Sequence, residues 1–93
     1  MYSIRYFITF VMTPVISFVY GIKMQVYPND HLPPHCHCRY AEYKLTVNLV
    51  TLEIIEGRLP PRVLKRVMKR LSIEENRQML LEKFYEKNPL LKL

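Results

Sequence analysis

The chain has no tryptophan, two glycines and two cysteines in 93 residues. With glycine only at Gly21 and Gly57, it has no glycine-rich loop of the kind that cradles phosphates. Cys36 and Cys38 cannot make a disulfide framework. Neighbours two apart on a strand point the same way about 7 Å apart, which strains a direct bridge. Reduced thiols and a cytoplasmic location are the simpler reading. No uninterrupted apolar run is long enough for a membrane span. Tyr2 to Tyr20 is apolar-rich, but it carries Arg5 and Pro14 and lacks a leucine-rich core and a small-residue cleavage site, so it reads as neither span nor secretory signal. Nucleophile motifs, paired carboxylates, internal repeats and linkers are also missing.

What is present describes one small domain over 1–93, too short for two cores. Apolar residues make up 49% and charged residues 24%, a globular balance. A core of this size leaves a modest stability margin, so pairing with a second copy or another chain is a reasonable expectation. Seven tyrosines are many for this length, and a tyrosine hydroxyl seeks water or a partner. The net charge of +6 is concentrated in Arg62, Lys65, Arg66, Lys69 and Arg70, which no acid interrupts. Such a field attracts phosphate backbones, anionic lipid or an acidic protein.

Taken in order, 1–12 reads as an N-terminal extension strand, 13–57 as a sheet with a histidine–proline corner and 60–88 as two helices. Tyr2, Ile4, Tyr6, Ile8 and Phe10 alternate, and Thr13-Pro14 interrupts them. Phe18, Tyr20, Ile22, Met24 and Val26 then share one face of a half-buried strand. Pro28-Asn29-Asp30 signals a turn. From His35 the period is again two: His35, His37 and Arg39 share one face, and Cys36, Cys38 and Tyr40 the other. Tyr43, Leu45, Val47 and Leu49 continue an apolar phase. A slip near Val50 calls for a turn around Val50-Thr51, and Gly57 closes the last strand.

Pro60-Pro61 opens a helix over 61–71, with Val63, Leu64, Val67, Met68 and Leu71 as its apolar stripe. Ser72 and Glu75 form a capping box for a second helix that turns Ile73, Leu80, Leu81, Phe84 and Tyr85 inward. Asn88-Pro89 ends it, and the apolar tail Leu90-Leu91 docks on the core or on a partner. The expected architecture is α+β, a small antiparallel sheet of three to four strands followed by two short helices packed on one face.

Asp30-His31-Leu32-Pro33-Pro34-His35-Cys36-His37-Cys38-Arg39 holds every histidine and cysteine of the chain. His35, His37 and Arg39 on one side would suit anion binding or proton transfer in phosphodiester cleavage, with Asp30 orienting an imidazole. The bland alternative is a pair of histidines at a wet sheet edge that tie down the proline corner. A transition metal such as zinc, held by His35 and His37 with Asp30 or His31, is a third reading and not the favoured one. Cys36 and Cys38 point to the opposite face and read as small core residues. The basic helix could lie along a nucleic acid, face an acidic partner or be an ordinary solvated surface. It is not part of a helix-turn-helix, because the second helix opens with two glutamates that would repel phosphate. Nor do the tyrosines interleave with basic residues as in a single-strand platform.

Pro14-Val15-Ile16, Phe18-Val19-Tyr20-Gly21-Ile22, the Asp30 to His37 corner and Gly57-Arg58-Leu59-Pro60 together resemble the small prokaryotic family catalogued as domain of unknown function 4160. The likeness runs from Pro14 to about Tyr85. In the family the chain often starts just before that proline, which makes Met12 a candidate start. The usual third-strand aspartate is Asn48 here, the usual turn glycine is Leu52, and the helix tryptophans are absent, with Phe84 as a stand-in. The resemblance implies a two-gene, toxin–antitoxin-like module and assigns no catalytic residues.

The leading expectation is therefore a small basic cytoplasmic protein of such a module, binding an acidic partner protein encoded nearby, with RNA as a further ligand. Asp30, His35, His37 and Arg39 are the candidate catalytic residues, and Arg62, Lys65, Arg66, Lys69 and Arg70 the binding surface. One alternative is a histidine-dependent ribonuclease-like toxin; another is a metal-binding or purely structural protein. Whether the chain is an enzyme stays open at this point.

Overall fold

The computed structural model describes residues 15–19 and 21–92. The strand expected over Met1 to Val11 and the extension 1–12 lie outside the described residues. Five strands form one antiparallel meander in the order β1 to β5: β1 Val15–Val19, β2 Ile22–Gln25, β3 His35–Tyr40, β4 Tyr43–Asn48 and β5 Ile54–Arg58. Helices α1 Pro61–Leu71 and α2 Glu74–Lys87 follow, and a single 3₁₀ turn, Pro89–Leu91, closes the described chain. The expected sheet-then-two-helices architecture is what the molecule has.

Two alternating runs that read as continuous strands are folded hairpins. The run through Ile22 is broken at Gly21, which takes φ +75° so that Val19 pairs with Ile22. Glycine alone adopts this backbone without a Cβ penalty. The run from His35 to Leu49 folds back at Ala41-Glu42, where Tyr40 faces Tyr43. Ala41 sits at φ +53°, and the apolar phase shifts from even to odd positions across the turn. The third reversal falls where the slip near Val50 put it. Asn48 Oδ1 accepts from the backbone N–H groups of Val50 (2.7 Å) and Thr51 (3.0 Å) and so supplies the turn that no glycine marks. Leu52 completes it at φ +65°. Gly57 is the penultimate residue of β5, at φ +84°, where a Cβ would come within 2.3 Å of the Lys44 carbonyl oxygen.

The core lies between one sheet face and the helices. Ile22, Met24, Val26, Cys36, Cys38, Leu45 and Val47 meet Val63, Val67, Leu71, Leu80 and Phe84. α1 buries Val63, Val67 and Leu71 at helical spacing and places Lys69 and Arg70 in its last turn, where cations suit the dipole. The Ser72–Glu75 capping box does not form. Ser72 is the C-cap of α1, its hydroxyl donating to the Lys69 carbonyl at 2.7 Å, and Ile73 is the N-cap of α2. With Ser72 committed to the preceding helix, Ile73 is turned out to solvent, half exposed. Glu74 and Glu75 still favour the α2 N-terminus through the dipole. In the tail Leu91 packs on the core while Leu90 is exposed. Among the described residues no helix is long and apolar enough to cross a membrane.

Candidate metal centre at the histidine corner

The loop between β2 and β3 is bound to the far end of the chain by Asn88, just past α2. The Asn88 amide donates to the carbonyls of Tyr27 (2.9 Å) and Phe84 (3.0 Å), and its Oδ1 accepts from the Asp30 backbone N–H at 2.7 Å. The side chain is buried, so these bonds replace water that it cannot reach. Asp30 is thereby held over the start of β3.

Its carboxylate divides the work between two oxygens. Oδ1 accepts from the His31 backbone N–H at 3.0 Å. Oδ2 is left facing two imidazoles: it lies 2.9 Å from His35 Nε2 and 3.3 Å from His37 Nε2. The two rings sit edge to face with centroids 5.0 Å apart. His35 is buried with its ring 5.5 Å from Phe84; His37 is half-buried with its ring 4.3 Å from Tyr27. Burial opposes ionisation of Asp30, but the hydrogen bonds from His37 and from the His31 N–H, with the charge of the neighbouring imidazoles, outweigh it and hold the carboxyl below its ordinary range. Burial pushes the His37 imidazole down, against the pull of Asp30.

The tautomer of His35 follows from its other nitrogen. Nδ1 lies 2.7 Å from the Pro33 carbonyl oxygen, which can only accept, so Nδ1 carries a hydrogen. A neutral His35 therefore presents the bare lone pair of Nε2 to a carboxylate oxygen at 2.9 Å. That contact is attractive only with a proton or a cation between the two atoms.

Donor atoms of Asp30, His35 and His37 all lie within 4.8 Å of one another. Metal–nitrogen and metal–oxygen bonds of about 2.0–2.2 Å in a tetrahedral arrangement require donors about 3.3–3.6 Å apart. The His37–Oδ2 distance of 3.3 Å has that spacing, whereas the 2.9 Å between His35 Nε2 and Oδ2 is that of a hydrogen bond and would have to open by about half an ångström to admit a metal. Two imidazoles and one carboxylate suit zinc, iron or another borderline transition metal and leave coordination positions open. A carbonyl on the far nitrogen of His35 is the usual outer support of a ligating histidine.

The structure thus brings together Asp30, His35 and His37. Arg39 is exposed two residues along β3 and borders the same hollow as His37 without entering the cluster. His31 is peripheral, 82% exposed, with Nε2 3.8 Å from Asp30 Oδ1. Cys36 and Cys38 are fully buried free thiols on the opposite face. Contact with Cys38 and then burial push the Cys36 thiol well above its ordinary range, so it is no nucleophile at neutral pH. Arg62, Lys65, Arg66, Lys69 and Arg70 are all exposed on α1. Sequence reasoning missed Asn88, which it treated only as a helix stop, and Tyr27. An asparagine before a proline signals a helix end; nothing local signals a bond to residues 58 and 61 positions away.

Fold and corner together define a small α+β protein with a two-histidine, one-carboxylate cluster at the head of a sheet strand. The chain belongs to the family described as Domain of unknown function (DUF4160), whose model matches residues 20–85. No curated protein and no solved structure matches the chain.

Proposed function

We propose that the chain is a metal-binding protein whose site is Asp30, His35 and His37, with open coordination positions facing solvent beside His37. The observation that carries this is the 2.9 Å approach of His35 Nε2 to Asp30 Oδ2 while Nδ1 is bound to the Pro33 carbonyl. Two acceptors so arranged are relieved by a proton or by a metal cation bound to both, and His37 on the same oxygen supplies the further donor that a metal uses. Such a centre polarises a bound water or an anionic ligand. The test is metal analysis of protein purified without a histidine tag, followed by titration with cobalt(II). One equivalent per chain with a visible d–d band, lost in His37→Ala and in Asp30→Asn, is expected. Protein that stays metal-free and gives no band removes the reading.

A second reading keeps His35 and His37 as an acid–base pair for RNA cleavage, with Arg39 steadying developing charge. Arg39 and His37 border one hollow, which favours it. RNA cleavage that persists in a chelator and disappears in His35→Ala would select this reading over the metal. In either case the exposed cations of α1 suit an acidic partner protein, as expected of one half of a two-gene, toxin–antitoxin-like module.

A further inference from the structure

The sheet face turned away from the helices carries cations in a single register row. Lys23 pairs with Arg39 across β2 and β3, and Arg39 with Lys44 across β3 and β4. Directly opposed residues of antiparallel strands project to one side, here the side opposite Met24, Cys38 and Leu45 of the core. Arg58 is the next register partner, with its guanidinium 5.7 Å from the Tyr43 ring centre. Like charges placed opposite one another repel, which lowers stability. None of Lys23, Arg39 and Lys44 makes an ion pair among the described residues, although Glu42 and Glu56 border the row. A row of like charges without an ion pair among the described residues suits an external anion.

The next row toward the corner shows which anion. Gln25, His37, Thr46 and Glu56 are in register there, and the His37 ring lies against Tyr27 at a tilt of 36° with centroids 4.3 Å apart. A cavity of about 500 Å³ opens along both rows, bordered by Tyr27, His37, Arg39 and Lys44, with Glu56 as the one acid on its wall. Cations and aromatic rings thus share one hollow. An acidic peptide would use the cations and leave the rings idle. A duplex hides its base faces inside the stack. A single strand offers both phosphates and base faces, and Lys23 to Lys44 spans about 10 Å, the reach of a short run of phosphates.

We propose that this sheet face binds single-stranded nucleic acid, with phosphates over Lys23, Arg39 and Lys44 and a base against the Tyr27–His37 pair. It is a site separate from the basic helix, and it does not depend on a metal at the corner. Cation groove and ring platform together are what sequence-tolerant single-strand binding requires.

The test is fluorescence anisotropy of the full chain in chelator, with short fluorescein-labelled oligouridylate and oligodeoxythymidylate as probes. The wild type is expected to bind one or both, and a preference identifies the strand as RNA or DNA. Arg39→Thr/Lys44→Thr should weaken binding about tenfold and flatten the salt dependence by about 1.4 in log–log slope, at about 0.7 per cation removed. Tyr27→Leu should weaken it by about tenfold through lost stacking, with the salt slope unchanged. Arg39 and Lys44 are exposed and Tyr27 is half-buried, and thermal melts of the variants verify that each is folded. Three results would overturn the proposal: no binding by the wild type, unchanged affinity in the double variant with loss in Arg62→Ala/Lys65→Ala, or displacement of the probe by poly-glutamate as readily as by unlabelled strand.

Discussion

The two faces of β3 differ as much as any two regions of this molecule, although they alternate residue by residue. One face carries Cys36 and Cys38, fully buried among Met24, Leu45, Val47 and Phe84. The other carries His37 and Arg39, in register with Gln25 and Lys23 on one side and Thr46 and Lys44 on the other. On the first face, each residue is explained by the apolar area it removes from water. On the second, no such explanation applies. Opposed cations oppose folding, and the contact of His35 Nε2 with the Asp30 carboxylate needs a proton or a cation between its atoms. The core face therefore reports the fold, and the open face carries the candidate site.

The contrast can be broken hardest from the core side. Phe84→Ala should cost about 3–5 kcal/mol in urea denaturation, because it empties the centre of the core and removes the ring beside His35. Metal affinity should fall with it.

Asn88→Ala tests the bond between the faces more selectively. It removes three hydrogen bonds and leaves the Asp30 N–H and two carbonyls without their partner, at a cost of about 2 kcal/mol. Cobalt affinity should fall about 10- to 100-fold even where the chain remains folded, since Asp30 loses its tether. Folded protein with unchanged affinity would mean that Asn88 serves only the helix end.

The smallest change sharpens the comparison by its sign. Lys44→Thr should leave stability unchanged or raise it by about 0.2–1 kcal/mol, because it relieves repulsion with Arg39 and Arg58. A chemical melt that shows clear destabilisation would indicate that the row is neutralised inside the fold.

Much of this was legible in the sequence wherever neighbours along the chain decide the outcome. Proline at the first turn, an apolar stripe at 63, 67 and 71 and cations toward the C-terminus gave α1 its bounds. The separation of the cysteines from the histidines follows from a period of two. The broken strands were less legible. Gly21 was the only mark of the first hairpin, and Ala41, an ordinary residue at φ +53°, marked the second only through a change of phase. Ser72 had two helices it could cap, and local preference does not choose between them.

By itself, the sequence determined that Asp30, His35, His37 and Arg39 are close along the chain, that the thiols point away from the imidazoles, and that α1 is basic outside and apolar inside. These are consequences of backbone period and side-chain type, which act over a few residues. Only the tertiary structure decided that Asp30 Oδ2 meets two imidazoles at once, that Asn88 holds it there, and that Lys23, Arg39 and Lys44 form one row. Those arrangements depend on strand register and on helix docking between residues up to 61 positions apart, and packing sets both after local preferences have been satisfied.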